Sequence, residues 1–449
     1  MPDRKNSQTE LLHAPSGSEA GSASATGPAR AGRRRPIVAA SIGNFVEWYD
    51  YAIYGTLAVV LAELYFPKQD QTAAVLLTFT GYAVASVLRP AGALLFGALG
   101  DRIGRKSTLS AVVLLMSAAT AAIGMLPTYS DIGVWAPILL FFCRALQGLS
   151  AGGEYGGSAT FLAEYAPPGK RALYTSWQTF TVLLSFLCGA LLGALLTREL
   201  GRDVLLAWAW RIPFLVALPL GLVGLYLRLR LEDTPAFTRL RRQRDVPRSP
   251  LREAARDHKG ALARVWGLAF FGTAATFVFL TYSTTYAVVT LKKDLDLALI
   301  GLSAGLVAGL VLCPFVGVAA DRWGRRPVML YSTIACLALT YPGFLLMGGR
   351  SELGVVAGFV LFTVLLTLYT GAGPAVLTEA FPTRVRYSGL SMGYSVAGSL
   401  TGLLTPFAIE WLIRHTGSAI GPTLWILATG IAGLTAAILL PETRGRELT

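Results

Sequence analysis

Glu47, Asp50, Arg89, Arg144 and Glu154 fall deep inside long apolar stretches of this 449-residue chain. Charge in hydrocarbon is costly, so each is a candidate for function by default. A carboxyl in an apolar site holds its proton and releases it when a guanidinium approaches, which suits it to carry protons. Asp50, Glu47 and Glu154 all fit that task, and the residues alone do not choose among them. Arg89 and Arg144 can pair with these carboxyls or bind a substrate carboxylate in bidentate fashion. Glu47 and Asp50 stand three apart and share a helix face. Counted at ~1.5 Å per residue, Glu47, Arg89 and Glu154 lie about 15 Å from one boundary and Asp50 about 20 Å. Arg144 lies about 15 Å from the other boundary on the same count. These depths predict a cluster of Arg89 with Glu47 and/or Glu154, and a separate approach of Asp50 to Arg144. The plainer alternative is that the charges only satisfy one another. His13, His258 and His415 all lie outside the apolar stretches, so no imidazole relay is expected.

Hydroxyls beside a Gly/Pro break can line a polar cavity in mid-membrane. Tyr282 and Tyr286 in the seventh apolar run, and Tyr369 in the tenth, are therefore candidate substrate contacts. Gly152, Gly153, Gly156 and Gly157 form two small-xxx-small pairs, read as close helix packing. A third kind of candidate is duplicated. Gly97-Ala-Leu-Gly-Asp101-Arg102-Ile-Gly104-Arg105-Lys106 returns 220 positions later as Gly317-Val-Ala-Ala-Asp321-Arg322-Trp-Gly324-Arg325-Arg326. Its glycines permit a tight turn. Its Asp can accept from a helix amino terminus or pair with an Arg, making a latch that one half offers the other. A second echo, Glu164-Tyr-Ala-Pro167 with Arg171 against Glu379-Ala-Phe-Pro382 with Arg386, is offset by 215. A repeat this long marks a duplicated half rather than a solenoid unit.

The elements that position these residues are long helices. The chain is 53% hydrophobic and 14% charged, with mean hydropathy +0.54, whereas a soluble domain carries about a quarter charged residues. Apolar runs appear near 37–66, 72–99, 108–126, 134–165, 174–197, 210–229, 264–290, 297–320, 327–348, 353–378, 387–413 and 421–440. Each approaches or exceeds the ~20 residues that span the hydrocarbon. Barrel strands would be about half as long, with alternating polarity. The expectation is an all-α membrane protein of about twelve transmembrane helices in two pseudo-symmetric six-helix bundles. Its predicted parts are a disordered cytoplasmic tail (1–36), a first bundle (37–229), a basic cytoplasmic linker (230–262), a second bundle (263–440) and a short cytoplasmic tail (441–449). Lys and Arg concentrate in the linker and the motif connections, which places both termini inside by the positive-inside rule. The net charge of +13 is thus topology rather than a nucleic-acid patch. Arg33–Arg35 precede an apolar run too long for a signal peptide and without a cleavage site. The four cysteines lie in apolar runs without metal-like spacing. No nucleophile constellation, phosphate loop, metal site or cofactor is expected, and an enzyme is not.

These residues resemble the major facilitator superfamily, and within it the metabolite:proton symporters that include permeases for α-ketoglutarate, citrate, shikimate and proline/betaine. The likeness is carried by Gly43-Asn-Phe-Val-Glu-Trp-Tyr-Asp-Tyr51, Arg89-Pro-Ala-Gly-Ala93, Arg144-Ala-Leu-Gln-Gly148, Gly152-Gly-Glu-Tyr-Gly156 and Trp210-Arg-Ile-Pro-Phe214. It continues through Glu232-Asp-Thr-Pro-Ala-Phe237, Phe381-Pro-Thr-Arg-Val-Arg386 and Pro441-Glu-Thr443. The resemblance implies proton-coupled uptake across the cytoplasmic membrane by a protein that works as a monomer. It also links the Arg144 element to proton coupling and the repeated motif to gating. Two intramembrane arginines favour an anion, so the expected cargo is a di- or tricarboxylate, with a proline/betaine-type solute as the alternative. Export is less favoured: Cys188–Leu196 lacks the proline usual in the fifth helix of exporters. A sensor role has no supporting feature, and the short carboxy-terminal end departs from osmosensory permeases with a coiled-coil tail.

Overall fold

The computed structural model describes residues 30–67, 71–230, 233–243, 247–417 and 420–448. Helices account for all regular structure among the described residues. In the first half they are α1 (Arg30–Thr56), α2 (Ala58–Tyr65), α3 (Gln71–Ile103), α4 (Arg105–Met125), α5 (Tyr129–Ile132), α6 (Trp135–Tyr165), α7 (Arg171–Val204) and α8 (Arg211–Leu229). Two short helices, α9 (Pro235–Arg242) and α10 (Pro250–Asp257), occupy the interval expected as the linker. The second half contains α11 (Lys259–Thr276), α12 (Ser283–Thr285), α13 (Leu295–Trp323), α14 (Arg325–Gly348), α15 (Glu352–Thr370), α16 (Gly373–Glu379), α17 (Arg386–Thr416) and α18 (Gly421–Ile438).

Eleven helices among the described residues are long and apolar enough to cross a membrane. The twelfth crossing, α1 with α2, falls short of that measure because it carries Glu47, Asp50 and an arginine-rich start. Of the stretch expected as a tail, residues 1–29 lie outside the described residues. The rest is the start of α1, because arginine is a good helix former and continues the helix beyond the apolar run. Thr234 caps α9 by accepting from Phe237 N, and Pro235 follows at the first helical position, which gives that helix a sharp start.

Leu95, Val311, Phe315, Leu345 and Phe407 project outward, the inverse of a soluble exterior. Within the first half α3 packs on α6, α4 on α8, and α1 on α7 and α8; within the second, α13 packs on α15 and α11 on α17 and α18. The halves meet along α3–α17 and α7–α13. The α3–α6 seam is backbone against backbone. A Cβ at Gly92 would overlap the Leu149 carbonyl, one at Gly148 the Ala85 carbonyl, and one at Gly152 the Arg89 carbonyl. Small residues are what permit helices this close an approach. The seventh crossing is irregular, with wide π turns over Phe277–Tyr282 and Tyr286–Thr290 on either side of α12.

Candidate functional site

Among the described residues, the five candidate charges of the first half fall into three buried ion pairs, Glu47 with Arg89, Asp50 with Arg144 and Glu154 with Arg228. Arg144 on α6 donates to Asp50 on α1 at 2.6 Å. Gln147, one turn along α6, donates to Asp50 Oδ1 at 2.5 Å and to Thr120 at 2.9 Å, while its own Oε1 accepts from Arg144 at 2.8 Å. Thr120 on α4 also donates to Asp50 Oδ1 at 3.0 Å. The rings of Tyr54, Tyr82 and Tyr51 enclose the Arg144 guanidinium at 4.2, 5.2 and 5.5 Å, close enough for cation–π attraction. The predicted approach of Asp50 to Arg144 is therefore present, with a polar support of Gln147 and Thr120 around it.

The predicted Arg89 cluster forms in part. Arg89 Nη2 lies 2.5 Å from Glu47 Oε1, and its guanidinium sits 5.7 Å from the Tyr394 ring of the other half. Glu154 does not join it. Its partner is Arg228 near the end of α8, at 2.8 Å, and Arg228 also donates to the Leu109 carbonyl at 2.5 Å. Gly43 on α1 leaves the room, since a Cβ there would overlap this pair. Glu154 faces a different neighbour from Arg89 because equal depth says nothing about azimuth around the bundle.

Between the halves lies a narrow cavity lined from the first half by Trp48, Tyr155, Gln178 and Thr179 and from the second by Tyr369 and Tyr394 among others. Tyr155 and Tyr394 stack across the boundary with centroids 3.4 Å apart. Of the tyrosines predicted to line a cavity, Tyr369 does so. Tyr286 instead packs edge-on against Phe344, and neither it nor Tyr282 lines the cavity. The π turns widen the helix there and rotate this stretch away from the register a regular helix would give. Arg89 and Arg144 do not line the cavity either.

The duplicated motifs lie at one rim and reach across the halves. Asp101 accepts from Ser388 N, at the start of α17, at 2.8 Å and pairs with Arg105 at 3.0 Å. Asp321 accepts from Ala172 N and Leu173 N, at the start of α7, at 3.0 and 2.9 Å and pairs with Arg325 at 3.0 Å. Both aspartates thus use the positive end of a helix belonging to the opposite half. The second echo crosses too: Arg386 meets Glu164 at 2.9 Å and Arg171 meets Glu379 at 2.7 Å. Thr234 donates to Glu164 and Thr443 to Glu379, so the two networks match residue by residue. Gly104 and Gly324 take φ of +117° and +107°, a region closed to most side chains. That turn presents the next amides to Asp233 and Glu442: Lys106 N donates to Asp233 at 2.9 Å and Arg325 N to Glu442 at 3.0 Å. Burial favours the protonated Glu442 carboxyl, but the amides of Arg325, Arg444, Arg326 and Thr443 outweigh it and hold the group below the usual glutamate range. Gly97 packs against the Ser388 backbone. Arg102 donates to the Arg248 carbonyl, and Arg322 is exposed.

Sequence reasoning missed Arg228, Gln147, Trp48, Gln178 and Tyr394. Gln147 and Gln178 had a signal: each is an amide within an apolar helix. Arg228 had a weaker one, because it sits where α8 gives way to the basic linker.

Two helical bundles joined at a central cavity, with a matched rim of charges on each, are the architecture of a membrane transporter. The chain belongs to the major facilitator superfamily, whose family model matches residues 40–406. A proline/betaine transporter of Salmonella typhimurium is 36% identical over 424 residues, covering 92% of this chain and 85% of that protein. A glycine betaine/proline/ectoine/pipecolic acid transporter of Dickeya dadantii is 34% identical, covering 92% of this chain and 84% of its own length. An inner membrane metabolite transport protein of Escherichia coli is 36% identical over 93% of this chain and 96% of itself. Among solved structures, a proton:xylose symporter bound to 6-bromo-6-deoxy-D-glucose superposes with a TM-score of 0.78 at 18% identity, covering 93% of this chain and 97% of that one. That likeness shows the fold.

Proposed function

We propose that this transporter imports a zwitterionic compatible solute of the proline/betaine type together with protons. The observation that carries this reading is the neutralisation of both mid-membrane arginines. Arg144 is paired with Asp50 and Arg89 with Glu47, and among the described residues no charged side chain lines the cavity. The electrostatic reason for expecting a di- or tricarboxylate is thereby removed. Aromatic faces instead suit a solute with a positive nitrogen, and the relatives named for proline and betaine favour the same class.

In this reading Asp50 carries the proton. While ionised it holds Arg144, Gln147 and Thr120; once protonated it loosens Arg144 and changes how α1 sits on α6. Glu47 and Arg89 connect that change to Tyr394 on the cavity's opposite wall. Asp101, Asp321, Glu164 and Glu379 form the latch that keeps the motif rim shut, with Gly97, Arg102, Gly104, Arg105, Arg322, Gly324 and Arg325 shaping its turns. The basic interval 230–262 connects the bundles 37–229 and 263–440. It faces the cytoplasm with both termini, in the cytoplasmic membrane, and a single chain suffices for transport.

The test is uptake into membrane vesicles of labelled proline, betaine, citrate and α-ketoglutarate, with and without an imposed proton gradient. Proline or betaine should accumulate and lose that accumulation when the gradient collapses. Accumulation of citrate alone, or uptake indifferent to the gradient, would overturn the proposal.

A further inference from the structure

Resting on the zwitterion reading above, we infer that Gln178 selects solutes that keep at least one N–H on their positive nitrogen. Most hydroxyls around the cavity are already committed. Tyr369 donates to the Leu268 carbonyl at 2.7 Å, Thr179 to Thr370 at 2.7 Å, Thr276 to Gly272 at 2.8 Å, and Thr370 to Leu366 at 2.8 Å. Two buried polar atoms of cavity-lining residues have no partner: the Gln178 amide oxygen and the Trp48 indole nitrogen.

The Gln178 amide cannot readily turn to satisfy itself. Its Nε2 is directed at the Tyr155 carbonyl at 3.1 Å, Ser158 Oγ at 3.2 Å and Asn44 Oδ1 at 3.5 Å. Asn44 in turn donates to the Gln178 carbonyl at 2.9 Å and to Thr181 at 2.8 Å, which fixes the backbone beneath it. Three acceptors around the nitrogen leave Oε1 as an acceptor in want of a donor, in a side chain only 1% exposed. A buried acceptor without a donor is costly, and native structures seldom leave one unless something else fills the role. A cationic N–H supplies that donor. The Trp48 indole N–H, a donor with no acceptor function, offers the complementary contact to the solute's carboxylate.

The aromatic faces cannot make this distinction. Tyr155, Tyr394, Tyr369 and Trp48 attract a methylated nitrogen and a protonated amine alike, because cation–π attraction acts on the charge. The amide oxygen does make it, since a quaternary nitrogen has no hydrogen to give. The cavity is thus built for an amine-bearing zwitterion such as a cyclic secondary amino acid, and tolerates a quaternary one with its acceptor left unpaired.

The experiment reads inhibition of labelled proline uptake in proteoliposomes by glycine, N-methylglycine, N,N-dimethylglycine and glycine betaine. The first three retain an N–H and should differ by about threefold or less, while loss of the last N–H should weaken inhibition about tenfold or more. Gln178→Leu should abolish that last step, and Gln178→Glu, which keeps an acceptor, should preserve it. A smooth trend along the series, or a step that survives in Gln178→Leu, would overturn the inference. A smooth wild-type series overturns the inference even when Gln178→Leu does not reach the membrane, and a stepped one is then traced to Gln178 by loss of the step in Gln178→Met. Absence of any proline uptake by the wild type is a separate result: it overturns the zwitterion reading and this inference with it.

Discussion

At the rim, Asp101 and Asp321 each act on the start of a helix in the opposite half, and Glu164 and Glu379 exchange arginines in the same crossed manner. The ion pairs of Glu47, Asp50 and Glu154 instead stay within the first half. The positions 220 after Glu47, Asp50 and Arg89 are Gly267, Phe270 and Gly309, and those 215 after Arg144 and Glu154 are Phe359 and Tyr369. One duplicated half has kept its charges and the other holds glycine and aromatic rings. The difference separates two tasks. A gate that closes against a partner needs matching parts on both sides, whereas a proton needs a single route, and a second set of buried charges would cost desolvation without adding a step.

The comparison can be broken most directly at Asp50. Asp50→Asn should lose gradient-driven accumulation while still exchanging labelled for unlabelled solute across the membrane. Full accumulation by this variant would remove the proton route from that residue.

A smaller effect is expected at the crossed pairs, and an unequal one. The Arg386 side chain is 1% exposed and that of Arg171 13%. Breaking a fully buried pair costs about 3–5 kcal/mol, whereas an exposed pair is worth ~1 kcal/mol or less. Arg386→Ala should therefore slow turnover more than Arg171→Ala, measured as the maximal uptake rate per correctly inserted protein. The reverse order would mean that the two sides of the latch are not loaded as their burial suggests.

Asp101→Ala removes one charge-assisted bond to a helix amide and Asp321→Ala two, each bond worth roughly 1.5–3 kcal/mol. Both should lower turnover by about tenfold or more at little change in KM, Asp321→Ala the further of the two. A larger loss in Asp101→Ala would mean that the two sides of the gate are not loaded as these bonds suggest.

The smallest effect on transport belongs to Glu154→Gln. Coupling should persist while the purified protein unfolds at a lower temperature, because this pair fastens α1, α4, α6 and α8 together. Loss of proton-driven accumulation in this variant would move the proton route to the Glu154–Arg228 pair.

The distribution of what was legible follows the same division. The helices, the two halves and the rim could be read from the sequence because apolar length and a duplicated motif are one-dimensional signals. Asp50 with Arg144 was legible because few groups lie at that depth. Glu154 stays open in the sequence as a second partner of Arg89 because counting residues yields depth and not direction. Its true partner sits at a helix end that reads as the start of a linker. Tyr282 and Tyr286 are expected at the cavity as mid-membrane hydroxyls, an argument that carries no direction, and the π turns over their stretch leave them elsewhere. Gln178 went unnoticed because one amide barely perturbs an apolar run, and its unpaired oxygen exists only once three neighbours have claimed its nitrogen. The expectation of an anionic cargo counts the two arginines as available although their pairing with Glu47 and Asp50 is itself expected, and the pairs in place weaken that argument.

The glycine seam between α3 and α6 sets how movement can be transmitted. With no side chains between the two backbones at Gly92, Gly148 and Gly152, there is little soft material to compress, since interiors packed to this density have low compressibility. In mechanical terms the two helices form one stiff beam. It carries Arg89 on one member and Arg144 on the other, and α3 abuts α17 of the opposite bundle. If Asp50 has the role proposed for it, a displacement begun there is delivered toward the rim as a lever stroke instead of dissipating in side-chain rearrangement.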